Sequence, residues 1–146
     1  LARALADRLQ ALGRMPGRLF LSLGTEGMLY RSASEEGHLM LPPASLRPPI
    51  VNRSGAGDAA CAAITWAHVR ARAYGLTPST ERQGEARGTE LDRALSPRFA
   101  AALAISAAVL TASSRRTVHR RLCPRLLCEA AAAWYPELAE HIKEFI

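Results

Sequence analysis

Leucines at positions 1, 5, 9 and 12 recur at spacings of four, four and three, with Arg3, Asp7, Arg8 and Gln10 mostly on the other side. That spacing predicts an amphipathic helix over residues 1–12, ended by Gly13 and the Met15-Pro16-Gly17 turn. The apolar run at residues 19–23 has the length of a buried strand. Gly24-Thr25-Glu26-Gly27 reads as a tight turn, after which residues 28–31 and 38–41 form two strands of a hairpin around the polar loop 32–37. Pro42, Pro43, Pro48 and Pro49 fix φ and stiffen the next segment into an extended approach. A small-residue run from Ala59 to Val69, containing Trp66 and His68, predicts a helix starting near Gly57. Residues 75–97 turn to Gly, Thr, Ser, Glu and Arg without periodicity, which predicts a flexible surface insertion. An Ala-rich helix over 99–111, a loop over 117–124 and one or two helices over 125–146 with a break at Pro136 complete the chain. No internal repeat is visible.

A length of 146 residues suits a single domain with one core. With 49% hydrophobic and 22% charged residues, global disorder is excluded. No apolar run approaches the roughly 18 residues of a membrane span, and the opening residues lack the order of a secretory signal. They read as the middle of a helix and begin at Leu1, so the expectation is a portion of a longer protein. Three cysteines without CxxC spacing argue against a disulfide framework or zinc site, and Cys61 is expected to act as a buried small hydrophobe. A reduced, cytoplasmic setting follows. His38, His68, His119 and His141 show no ligand spacing, so no metal site is expected, and Trp66 and Trp134 are expected to fill the core.

The formal charge is +6, and all the basic residues except Lys143 are arginines. Five of these, Arg115, Arg116, Arg120, Arg121 and Arg125, crowd one stretch and read first as a solvated face. Planar guanidinium groups can also meet phosphates, and an RNA-binding reading predicts steep loss of affinity with salt. Aromatic residues are only 5%, which leaves little material for base stacking, so nucleic acid is not the expected partner.

The sharpest constellation is Asn52-Arg53-Ser54-Gly55-Ala56-Gly57-Asp58. Small residues at 55–57 let backbone approach a ligand, and successive amides opening a helix cradle an anion with help from the helix dipole. A carboxylate beside a phosphate repels it as a binding group but serves as a general base. Removing a proton from an alcohol while amides neutralise a moving phosphoryl group is half of a kinase site. Asp58 as a simple helix N-cap is the competing use of the same residues.

The order of strand, Gly-x-x-Gly turn, hairpin and Gly-Ala-Gly-Asp helix resembles the carboxy-terminal half of the ribokinase-like carbohydrate kinases, the PfkB family. The resemblance rests on Leu21-Ser22-Leu23-Gly24-Thr25-Glu26-Gly27 and on Asn52 to Asp58, and spans nearly all residues outside the insertion. It implies a three-layer α/β/α fold with a mostly parallel sheet, of which residues 1–146 form one partial, ATP-side domain. It implies Asp58 as catalytic base, the amides of Gly55, Ala56 and Gly57 as anion hole, and Ser22, Gly24 and Gly27 along the ATP phosphates and ribose. Magnesium would accompany ATP, held mainly by groups outside these residues. Asn52 stands at a nucleotide-side position where the family often has an Asp that helps bind a monovalent cation, which weakens the case for potassium. Ala60 and Ala63 replace an aromatic and a glycine, so helix packing beneath the site should differ.

Within the family, Ala107 to Ser114 followed by Thr117-Val118 and Leu122 is similar to a segment of pseudouridine kinases. This implies pseudouridine as the favoured sugar or nucleoside acceptor, and brings in the glycosidase to which such kinases are sometimes fused. The implied partner within the domain is its first half, with the sugar signature and magnesium motif, preceding Leu1. Two readings follow: a phosphotransferase acting on an alcohol group, or a catalytically inactive kinase-like module that binds a nucleotide or a protein.

Overall fold

The computed structural model describes residues 2–11, 13, 17–73 and 95–145. These form a mixed α/β arrangement of five helices and three strands: α1 (Ala2–Ala11), β1 (Arg18–Ser22), β2 (Met28–Ser32), β3 (Glu36–Leu39), α2 (Ala56–Ala73), α3 (Pro97–Ala112), α4 (Pro124–Trp134) and α5 (Ala139–Phe145). Single 3-10 turns sit at Gly24–Glu26 and Pro136–Leu138, the second at the expected Pro136 break.

The strands lie in the order β1-β2-β3, and both pairings are antiparallel. Phe20 faces Tyr30 and Tyr30 faces Gly37. The expected mostly parallel sheet is therefore not what the described residues form. The reason lies in the connections: residues 23–27 and 33–35 are too short for the crossover of a dozen or more residues that parallel neighbours need. The hairpin loop is also shorter than expected, residues 33–35 rather than 32–37, because Ser32 closes it. Its N–H donates to the Glu35 carbonyl at 2.7 Å, and its hydroxyl accepts from the Glu35 N–H at 3.1 Å.

Helix α3 is the centre of the molecule, with fourteen of its sixteen residues buried. Ser96 caps it by accepting from the Phe99 N–H, and Pro97 occupies its first turn. A helix this apolar all round has no solvent face to offer and must be enclosed. On one side Ala63, Ala67 and Ala71 of α2 pack with Phe99, Ala100, Leu103 and Ala107 of α3, extended by Leu127, Cys128 and Ala131 of α4. On another, Met28 and Tyr30 of β2 and Leu39 of β3 pack with Ala101, Ala104 and Ile105. Arg31, on the opposite face of β2 from Tyr30, reaches Asp7 of α1 at 3.6 Å. The Tyr135 hydroxyl donates to the Met40 carbonyl at 2.8 Å and ties the end of β3 to the end of α4.

Most of the insertion expected at 75–97 lies outside the described residues, as does most of the Met15-Pro16-Gly17 turn. The last three residues of that stretch belong to the core region. Leu95 is 1% exposed, and its carbonyl accepts from the Arg18 guanidinium. Arg18 also donates to His68 Nε2 at 3.1 Å, leaving His68 Nδ1–H to donate to the Ile64 carbonyl at 2.7 Å. One arginine thus joins β1, α2 and the start of α3. The half-buried Trp66 and Trp134 pack against the core, as their composition suggests. Cys61 departs from expectation: it is exposed, as is Cys123, and Cys128 is the buried thiol. The buried stripe of α2 runs through 60, 63, 67 and 71, and Cys61 lies beside it rather than on it. Among the described residues no helix is long and apolar enough to cross a membrane.

Candidate functional site

The turn after β1 is built by backbone hydrogen bonds. Leu23 N–H donates to the Gly27 carbonyl at 2.8 Å, and Gly27 N–H to the Gly24 carbonyl at 3.3 Å. Gly27 has φ of 98°, and a Cβ there would lie 2.1 Å from the Leu39 carbonyl oxygen. Only glycine lets this turn sit against the end of β3. His38 locks the outer side by donating from Nε2 to the Glu26 carbonyl at 2.6 Å.

The approach to α2 is held from the far end of α3. After the bend at Leu46, whose N–H donates to the Pro43 carbonyl at 2.9 Å, the chain reaches Val51 and Asn52, whose N–H groups both donate to the Ala112 carbonyl at 2.9 Å. Asn52 Oδ1 accepts from the Ser54 N–H at 3.0 Å, so this side chain shapes the turn. Gly55 has φ of 78°, and a Cβ there would lie 2.0 Å from the Thr117 carbonyl oxygen. The two glycines of Gly-Ala-Gly then part company, because a Cβ on Gly57 would meet nothing within 4 Å. Gly57 and Asp58 lie in the first turn of α2, whose N–H groups have no acceptor within the helix.

The two segments meet. Ser22, Gly24 and Gly27 from the first and Ala56 and Gly57 from the second line one cavity of about 230 Å³. Its further walls are apolar, from Leu41, Ile50, Ile105 and Val109, and among the described residues Arg53 supplies its one charged lining group. Ala60 lies on the wall, in the place where the resemblance leads one to expect an aromatic ring. Asn52, Gly55 and Asp58 stand beside the cavity without lining it, and the Asp58 side chain belongs to an exposed residue. Ala56 and Gly57 line the cavity, with the Ala56 N–H donating to the Arg53 carbonyl at 3.4 Å, whereas Gly55 is packed against Thr117.

Sequence reasoning missed Arg53 and the apolar wall contributed by α3. Arg53 was inside the motif but overshadowed by the glycines. The α3 wall carries no motif; its only signal is a helix that lacks a polar face. Chemically, the cavity joins an apolar slot to amides at a helix start and one guanidinium, a combination suited to a flat, apolar body bearing an anionic end. Among the described residues no group of three or more His, Cys, Asp or Glu comes together to hold a metal ion. The chain matches no protein-family model and no curated protein.

Proposed function

We propose that these residues form the ATP-side portion of a ribokinase-like sugar or nucleoside kinase, with pseudouridine the favoured acceptor. The observation that carries this reading is the cavity that brings the Gly24 to Gly27 turn against the first turn of α2, with Gly57 leaving room for a ligand. At about 230 Å³ it takes part of a nucleotide rather than all of it. The apolar wall suits the base and sugar, and Arg53 with the Gly57 amide suits the phosphates. ATP bound there would bring magnesium with it, which would supply charge neutralisation to the phosphates.

In this reading Asp58 takes the proton from the acceptor hydroxyl as its oxygen attacks the γ-phosphorus, while ADP leaves. The parallel part of the sheet would come from chain preceding β1, whose outer edge has no strand beside it among the described residues. An inactive, nucleotide-binding module has one observation in its favour, namely that Asp58 does not line the cavity.

The test is turnover and MgATP affinity of the full-length protein and its Asp58→Asn variant with pseudouridine as acceptor. Loss of the general base should lower turnover by about 10²–10⁴-fold and leave MgATP affinity unchanged. Turnover unaffected by the substitution removes the role given to Asp58. Nucleotide binding without turnover of any sugar or nucleoside supports the inactive module instead.

A further inference from the structure

The loop that leaves α3 carries a second concave site with a different chemistry. Arg115, Arg116, Arg120 and Arg121, with His119 and Ser114, line a cleft of about 370 Å³. No acidic residue occurs between positions 95 and 128 of the sequence. Among the described residues, no carboxylate forms an ion pair with any of these four arginines, whereas the fifth of the cluster, Arg125, is paired with Glu129 at 2.8 Å.

The ordinary structural use of cations at this position is to satisfy carbonyls at a helix C-terminus. Those carbonyls are already occupied. Val109 accepts from the Ser113 N–H, Leu110 from the Ser113 hydroxyl, Thr111 from the Ser114 N–H, and Ala112 from the N–H groups of Val51 and Asn52. The arginines are therefore not needed to end the helix. The loop is nonetheless shaped: Ser114 Oγ accepts from the Arg116 N–H at 3.1 Å, and His119 Nδ1 accepts from the Arg121 N–H at 3.3 Å. The latter bond places the proton of neutral His119 on Nε2, which is then a donor. Thr117, between them, is fixed over Gly55.

The geometry points to an anion site in this cleft for a small phosphate-bearing molecule of the diphosphate or phosphomonoester class. Guanidinium groups fit phosphate oxygens in bidentate fashion, and a concave site lets several converge on one group. Among the described residues no Phe, Tyr or Trp lines the cleft, so it lacks the broad stacking surface of a single-strand binder. The inference is independent of what occupies the cavity beside Gly57.

The test uses inorganic pyrophosphate, without magnesium, titrated calorimetrically into the full chain and three variants. Arg116→Gln with Arg120→Gln should weaken binding at least about tenfold. Arg116→Lys with Arg120→Lys, which keeps the charge and loses the fork, should recover only part of the affinity. Gly57→Leu, which fills the other cavity, should leave in place the binding that the Gln pair removes. Absence of binding by the unmodified chain at millimolar pyrophosphate, or equal binding by the Gln pair, overturns the proposal. So does a loss confined to Gly57→Leu, which places the anion in the other cavity. A 20-nucleotide single-stranded RNA that binds with a steep salt dependence and is not displaced by pyrophosphate also overturns it, in favour of a nucleic-acid surface.

Discussion

Gly55 and Gly57 flank the same alanine, yet alanine substitutions at the two should move stability in opposite directions. At Gly55, φ is 78° and the new Cβ would sit 2.0 Å from the Thr117 carbonyl oxygen. An L-residue in the left-handed region costs about 1–2 kcal/mol. The close approach is to backbone, so either the turn or the 117 loop must move, raising the total to about 3 kcal/mol. At roughly 2–4 °C per kcal/mol for a chain of this size, Gly55→Ala should lower Tm by roughly 6–12 °C. Gly57 has ordinary helical backbone and open space around its missing Cβ. Gly57→Ala should therefore stabilise by about 0.5–1 kcal/mol through reduced freedom of the unfolded chain. Thermal unfolding followed by far-UV circular dichroism reads both. Equal Tm values for Gly55→Ala and the unmodified chain, or a loss at Gly57→Ala as large as at Gly55→Ala, would refute the division between a packing glycine and a site glycine.

Two further outcomes test the core. Leu95→Ala removes a side chain that is 1% exposed and should cost about 2–4 kcal/mol in urea unfolding; a change below about 1 kcal/mol would show that the residue does not anchor the entry to α3. Burial pushes the Cys128 thiol up to about 11, so iodoacetamide at pH 8 should label Cys61 and Cys123 in the native chain and all three only after unfolding. Because the folded thiol holds its proton more tightly than the unfolded one, its contribution is complete below about pH 9 and is lost as pH rises through 11. Burial raises the Tyr135 hydroxyl in the same direction, and rapid native labelling of Cys128 would contradict the enclosed position.

The elements were legible where local chemistry sets them. The 3,4,4 spacing of Ala60, Ala63, Ala67 and Ala71 marks the buried face of α2, and the same spacing, applied strictly, puts Cys61 off that face. The Gly-x-x-Gly turn and the hairpin followed from glycine and polar clusters. Strand direction was not legible in the same way, because the expectation of parallel pairing came from a family pattern while the short connections at 23–27 and 33–35 impose antiparallel neighbours. Likewise the motif identified where backbone comes close to something, but not to what. Gly27 approaches Leu39 and Gly55 approaches Thr117, whereas Gly24 and Gly57 have open space where a Cβ would stand. The partners of the first two lie 12 and 62 residues away in the chain, beyond any local pattern.

This distribution of roles bears on how a kinase half-site here would have to work. The cavity holds the segments assigned to the nucleotide, while Asp58 sits in the first turn of α2 without lining that cavity. A base and a phosphate cradle that share a helix start but not a wall can act together only if the acceptor hydroxyl arrives where both are within reach. Among the described residues Asp58 is exposed. On the proposed reading the acceptor surface must then be supplied by other chain, which also supplies the strand beside β1. On that reading nucleotide affinity and turnover should separate: the described residues would carry the determinants of the first, and the second would require the surface that faces Asp58.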